Sequence, residues 1–128
     1  MNPSIKAWLE LATADLLAAQ RLQGDEDLTN ISCFHSQQCV EKSLKAFLES
    51  RNITPPKTHD LIRLYGMIEE PWSIEEDMLA RLNEVYIDSR YPAAIGLLPH
   101  GAPSFEDTKA FYEFARNFNQ KVIALTGD

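Results

Sequence analysis

Apolar residues recur along this chain at intervals of three and four, and that spacing predicts helices from one end to the other. Residues 3 to 23 set Ile5, Leu9, Ala12, Leu16 and Ala19 on one face and Trp8, Leu11, Ala18 and Leu22 on the adjoining one, so the first helix is expected to have two neighbours. Gly24 and the acidic run Asp25 to Asp27 end it, and Thr29 or Asn30 is placed to accept the first amides of a long second helix, about 31 to 51. Pro55 and Pro56 prevent that helix from continuing. Thr58 is the expected cap of a short third helix carrying Leu61, Leu64, Tyr65 and Ile68, with Asp60 favourably placed in its first turn. Ser73-Ile-Glu-Glu76 reads as a capping box for a fourth helix whose Met78, Leu79, Leu82, Val85 and Tyr86 point inward. Pro92 disfavours helix at Tyr91, which stops the fourth helix near Arg90. Residues 91 to 103, with three prolines and two glycines, read as an irregular loop. Ser104 then opens a last helix in which Thr108, Phe111, Ala115, Phe118 and Val122 share a face. No alternating β-branched run competes, so the expectation is an all-α single domain over 1–128, built from four long helices and one short connecting helix.

The second helix departs from a simple amphipathic pattern. Gln37, Val40, Leu44 and Phe47 form one stripe, the expected core face, and about 100° away runs a second stripe of Phe34, Gln38, Glu41, Lys45 and Leu48. A row with a polar middle either faces water or is satisfied by partners inside the bundle, since a buried unpaired amide or charge costs several kcal/mol. Spacing alone favours the solvated face. Glu41 and Lys45, four apart with the acid first, are expected to pair.

Composition narrows the chemistry. At 128 residues the chain can bury a full core without a disulfide or metal staple. A formal charge of −7 and a pI near 4.9 exclude a grip on nucleic acid by summed backbone electrostatics, which needs a basic face. Any RNA contact must be local. Arg51, Lys57 and Arg63 make only a modest basic patch around the two prolines. Cys33 and Cys39 lie six residues apart in one helix, roughly 9 Å along its axis, beyond disulfide reach. Free thiols, no signal-like amino end and no apolar run approaching a membrane span predict a cytoplasmic protein with no membrane association.

The pieces Phe34-His35-Ser36-Gln37-Gln38, Glu41-Lys42, Leu44-Lys45-Ala46, Pro55-Pro56-Lys57-Thr58-His59-Asp60-Leu61 and Ser89-Arg90-Tyr91-Pro92, with Trp8 and Ala14-Asp15-Leu16 before them, occur in an order that resembles the HEPN family in its small stand-alone prokaryotic form. The resemblance spans nearly the whole chain. It implies an up-and-down helical bundle, usually a homodimer, often paired with a minimal nucleotidyltransferase in a toxin–antitoxin-like couple, with a nucleotide or RNA as ligand. Some members of the family are metal-independent ribonucleases that join an Arg, a polar residue just after it and a His four to six positions after the Arg. Here Arg90 is the counterpart, but Tyr91-Pro92 follows it and the next histidine is His100. The motif is therefore not intact, and nuclease activity through Arg90 and His100 is an alternative rather than the first expectation. A second alternative is a non-catalytic interaction module that uses the polar row of the second helix as a dimer seam.

Each candidate residue carries a structural role beside the functional one. Arg90 suits a helix carboxyl end and also offers a phosphate fork. Tyr86 is ordinary core or, with Tyr91, a stacking surface for a base. His59 is a pin beside the third helix or a donor to the second helix or to a phosphate. His100 serves as a base only with the loop folded back on Arg90. Gln38, Glu41 and Lys45 complete the ligand-contact set. His35 and Cys39 lie four apart, but no second pair at ligand spacing accompanies them, so neither a metal nor any other cofactor is expected.

Overall fold

A computed structural model describes residues 2–90 and 102–127, with the side chains of 87–90 left aside. Five helices are present among the described residues: α1 (Pro3–Leu22), α2 (Thr29–Ser50), the short α3 (Leu61–Gly66), α4 (Glu76–Arg90) and α5 (Phe105–Thr126). No strand occurs among them. The expected set of four long helices and a short connecting one is present. Tyr91, His100 and most of the 91–103 loop lie outside the described residues.

The long helix α2 is the hub. It packs against α1, α3, α4 and α5, whereas α1 touches only α2 and α5 among the described elements. Its stripe of Gln37, Val40, Leu44 and Phe47 is buried, and so is the α5 face of Thr108, Phe111, Ala115, Phe118 and Val122. Two small-residue hydrogen bonds lock the layers: Ser32 Oγ donates to the Ala19 carbonyl at 2.7 Å, joining α1 to α2. Asn119 Nδ2 donates to Ser43 Oγ at 3.1 Å, joining α5 to α2. Helix α1 has its two neighbours, but its adjoining apolar face is only partly covered, with Leu11 51% exposed. Its core face carries a residue that apolar spacing does not reveal, the buried Asp15.

Several helix ends differ from the sequence expectation. Helix α2 starts two residues early: Leu28 is the N-cap, without a side-chain bond, and Thr29 is buried inside the first turn. The Leu28 amide donates to the Asp25 carbonyl, and this tight turn brings the chain into helix before Thr29 or Asn30 can cap it. Helix α3 is capped by Asp60, whose side chain accepts from the Ile62 and Arg63 amides, while Thr58 Oγ1 accepts from the Asp60 amide one step earlier. Asn83 of α4 decides between the two, because its Nδ2 donates to Asp60 Oδ1 and its Oδ1 accepts from the Leu61 amide. Helix α4 begins at Glu76, so the Ser73 box lies outside the helix. Ser104 does cap α5, accepting from the Asp107 amide at 3.0 Å.

The carboxyl end of α2 is a paired-bond terminus. Asn52 takes the left-handed conformation with φ 62°. Its amide donates to Glu49 and that of Ile53 to Leu48, the pattern in which Asn stands in for glycine. The helix is thus turned off before Pro55 is reached, and the connector carrying His59 is directed back along α2.

Candidate functional site

The polar row of α2 does not face water. Glu41 and Lys45 are both buried, with side-chain exposures of 4% and 9%, and Leu48 is fully enclosed. The expected pair forms, Lys45 Nζ donating to Glu41 Oε2 at 3.1 Å. The other carboxylate oxygen, Oε1, accepts from His59 Nδ1 at 2.9 Å and, more weakly, from Gln37 Nε2 and Gln38 Nε2 at 3.4 Å each. Gln38 Nε2 also donates to Gln37 Oε1 at 2.7 Å, and Gln37 Nε2 to the His59 carbonyl at 3.2 Å. A buried carboxylate is tolerable only when its lone pairs are matched in this way. Satisfaction inside the bundle, rather than solvation, is what the row achieves. Because these groups are spent within one chain, the charged middle of the row is not free to serve as a dimer seam.

His59 is the point where this buried network reaches the surface. An ionised carboxylate only accepts hydrogen bonds, so the 2.9 Å contact requires the proton of His59 on Nδ1. The side chain is 51% exposed, and no hydrogen bond to Nε2 occurs among the described residues. One face of the imidazole lies on Tyr86 of α4, the ring centroids 4.1 Å apart and the planes 16° from parallel. Tyr86 is in turn 6.1 Å from Phe34, which meets His35 edge-on at 5.5 Å. Tyr86 is thus half-buried beside a ring row rather than a plain core residue. A row of rings and a fixed imidazole is the kind of surface on which a nucleobase stacks.

A second carboxylate cluster sits on the α1 side of α2. Asp15 Oδ1 lies 2.9 Å from His35 Nδ1, and Lys42 Nζ donates to Asp15 Oδ2 at 2.6 Å. His35 is therefore a satisfied histidine, partly buried, and not a partner of Cys39, which points instead toward the Ala115 carbonyl. Both cysteines are free and buried. Burial pushes the thiols up to about 11 for Cys33 and about 12 for Cys39. Among the described residues no group of three or more His, Cys, Asp or Glu side chains is arranged to hold a metal ion.

Of the residues singled out from sequence, Gln38, Glu41, Lys45, His59 and Tyr86 come together. Arg90 closes α4 one turn beyond Tyr86, its side chain outside the described set, as are Tyr91 and His100. Sequence reasoning missed two participants. Gln37 reads as core, and it is fully buried, yet it holds the backbone of His59. Asp15 enters the sequence reading only through a resemblance, although a carboxylate between Ala12 and Ala19 on a core-facing stripe was the available signal. A wide surface cavity of about 860 Å³, lined by Trp72, Met78, Phe114, Phe118 and Lys121 among others, shares no residue with this cluster and has no carboxylate–imidazole pair in its walls.

The HEPN domain model matches residues 5–125. The chain belongs to the HEPN domain family. Among solved structures it is similar to TT1696 from Thermus thermophilus, with 27% identity and a TM-score of 0.79 over 97% of this chain and 98% of that one. It is also similar to ST0689, an archaeal HEPN homologue, with 26% identity and a TM-score of 0.71 over 95% and 97% of the two chains. No curated protein sequence matches it significantly. The HEPN assignment agrees with the all-helical architecture and covers every element that builds the Glu41–His59–Tyr86 cluster.

Proposed function

We propose that this HEPN domain protein binds a nucleotide or a single-stranded RNA segment as a homodimer, in the cytoplasm, working beside a minimal nucleotidyltransferase in a toxin–antitoxin-like pair. The observation that carries the ligand part is the stacked, half-exposed His59 ring held by the buried Glu41 carboxylate and backed by Tyr86. Stacking on such a surface tolerates any base and needs no extended basic face, which suits a chain of charge −7. The homodimer and the nucleotidyltransferase partner rest on the family alone, and the location rests on the free thiols. The test is a titration of ATP and of a short oligoribonucleotide into the purified protein, with Tyr86→Ala alongside and sedimentation to read the assembly. Saturable binding weakened about tenfold by Tyr86→Ala is expected, within the range of one lost stacking contact. No saturable binding, with or without a nucleotidyltransferase, removes the reading.

A metal-independent RNA endonuclease is the second reading, and one observation favours it. With its proton on Nδ1, His59 presents an Nε2 lone pair able to take the proton of a ribose 2′-hydroxyl. The 2′-oxygen would then bond to phosphorus as the P–O5′ bond breaks, the 5′-oxygen regaining a proton from the imidazolium or water. Arg90, one turn beyond Tyr86, is the residue type to balance charge on the phosphate. RNA cleavage in the presence of a chelator, lost in both His59→Ala and Arg90→Ala, is the expected result under this reading. His100→Ala reports whether the 91–103 loop contributes a base.

A further inference from the structure

We infer that His59 makes the site selective for ribose over deoxyribose, its Nε2 accepting a hydrogen bond from the 2′-hydroxyl of a nucleotide bound at the His59–Tyr86 stack. The inference rests on the nucleotide- or RNA-binding reading and assigns that site its sugar class. It follows from where the protons are. Glu41 holds the His59 proton on Nδ1, so the exposed edge of a neutral ring carries a lone pair and no hydrogen. An outward acceptor selects a ligand donor and disfavours a phosphate oxygen, which is an acceptor too. Glu41 does not compete for the same donor, since both of its oxygens are engaged and its side chain is 4% exposed.

Ring position is fixed as firmly as ring protonation. The His59 carbonyl accepts from the fully buried Gln37, the ring lies flat on Tyr86, and Asp60 next to it is tied to Asn83. A ligand therefore meets an acceptor already oriented, with little ordering cost on the protein side. In single-stranded nucleic acid the donor that RNA has and DNA lacks is the 2′-hydroxyl. Glu41 acts here as a positioning residue, through the imidazole.

The experiment compares three short oligouridylates, ribo, deoxyribo and 2′-O-methyl, by fluorescence anisotropy in chelator, with the intact length of each checked on a gel. Wild type is expected to bind the ribo form about fivefold tighter than either of the others, the worth of one neutral hydrogen bond. His59→Phe, which keeps a ring on Tyr86 and removes the acceptor, should equalise the three. Glu41→Gln should narrow the ratio because the tautomer is no longer fixed, a change that a loss of fold alone would not produce. Equal wild-type affinities for all three, or a ribo preference that survives His59→Phe, overturns the sugar assignment and leaves the binding reading standing. A 2′-O-methyl form that binds like the ribo form also overturns it, since the preference then follows sugar shape and not the donor. Failure of all three to bind removes the binding reading and the sugar assignment with it. The wild-type comparison decides the matter even where a variant fails to fold.

Discussion

Removing Glu41 should destabilise this protein more than removing the lysine it pairs with, although the two share one contact. In Glu41→Ala, the Lys45 side chain, 9% exposed in the intact protein, keeps among the described residues only the Trp8 ring, 5.4 Å from Nζ. Gln38 retains Gln37, and Gln37 retains the His59 carbonyl, so the amides are largely satisfied without the acid. The orphaned charge therefore dominates, and an uncompensated buried charge costs about 3 kcal/mol, the lower end of the range because a lysine stem can shift its head toward water. At about 4 °C per kcal/mol for a chain of this length, the midpoint should fall by about 12 °C. Lys45→Met differs in kind. Glu41 Oε1 then still accepts from His59, Gln37 and Gln38 while Oε2 loses its donor, and methionine keeps an unbranched apolar stem against Trp8, so a cost of about 2 kcal/mol is expected. The double variant Glu41→Ala/Lys45→Met has no orphaned charge and should recover about 1–2 kcal/mol relative to Glu41→Ala. Urea titrations at one fixed protein concentration give all three values. A Glu41→Ala cost below that of Lys45→Met, or strict additivity in the double variant, would refute the claim that this pair is buried and satisfied within one chain.

Two further outcomes follow from the helix end and the thiols. Ser104→Ala removes the cap of α5 and should cost about 1 kcal/mol, with faster hydrogen exchange at the Asp107 amide; unchanged exchange would contradict the cap. Cys33 and Cys39, raised from 9.0 to about 11 and about 12, should resist iodoacetamide at pH 8 in the folded protein, where thiolate is about one part in 1,000 or less, and react at once in urea. Since the folded value lies above the unfolded one, their contribution to stability is complete below about 9 and lost as pH rises toward 11 and 12. Rapid labelling of the native protein would contradict their burial.

The fold was legible in the chain because its helices carry long unbroken periods. The α5 face from Thr108 to Val122 and the α2 face from Gln37 to Phe47 are buried as their spacing predicts. Helix caps were less legible for a local reason: Thr58 and Asp60, or Thr29 and Asn30, are near-equivalent acceptors one or two residues apart. Contacts from elsewhere choose between them, as Asn83 does at α3. The site was legible in membership and not in wiring. Gln38, Glu41, Lys45, His59 and Tyr86 were candidates from their types and order, but the Glu41–His59 bond joins residues on either side of the two prolines. Helical spacing carries no information across such a connector. The burial of Lys45 and Glu41 escaped the same reading, since a polar stripe on one helix looks solvated until the helices that cover it are in place.

Glu41 holds His59 through Nδ1 and leaves Nε2 without a hydrogen bond among the described residues. Imidazole ¹⁵N NMR on the uniformly labelled protein tests it most directly, since the two ring nitrogens of a neutral histidine differ widely in shift according to which bears the proton. His59 is expected to be the Nδ1–H form in the free protein, and its Nε2 signal to move on addition of a short oligoribonucleotide while Nδ1 stays protonated. An Nε2–H tautomer for His59, or a ring signal unmoved at saturating oligoribonucleotide, would contradict it.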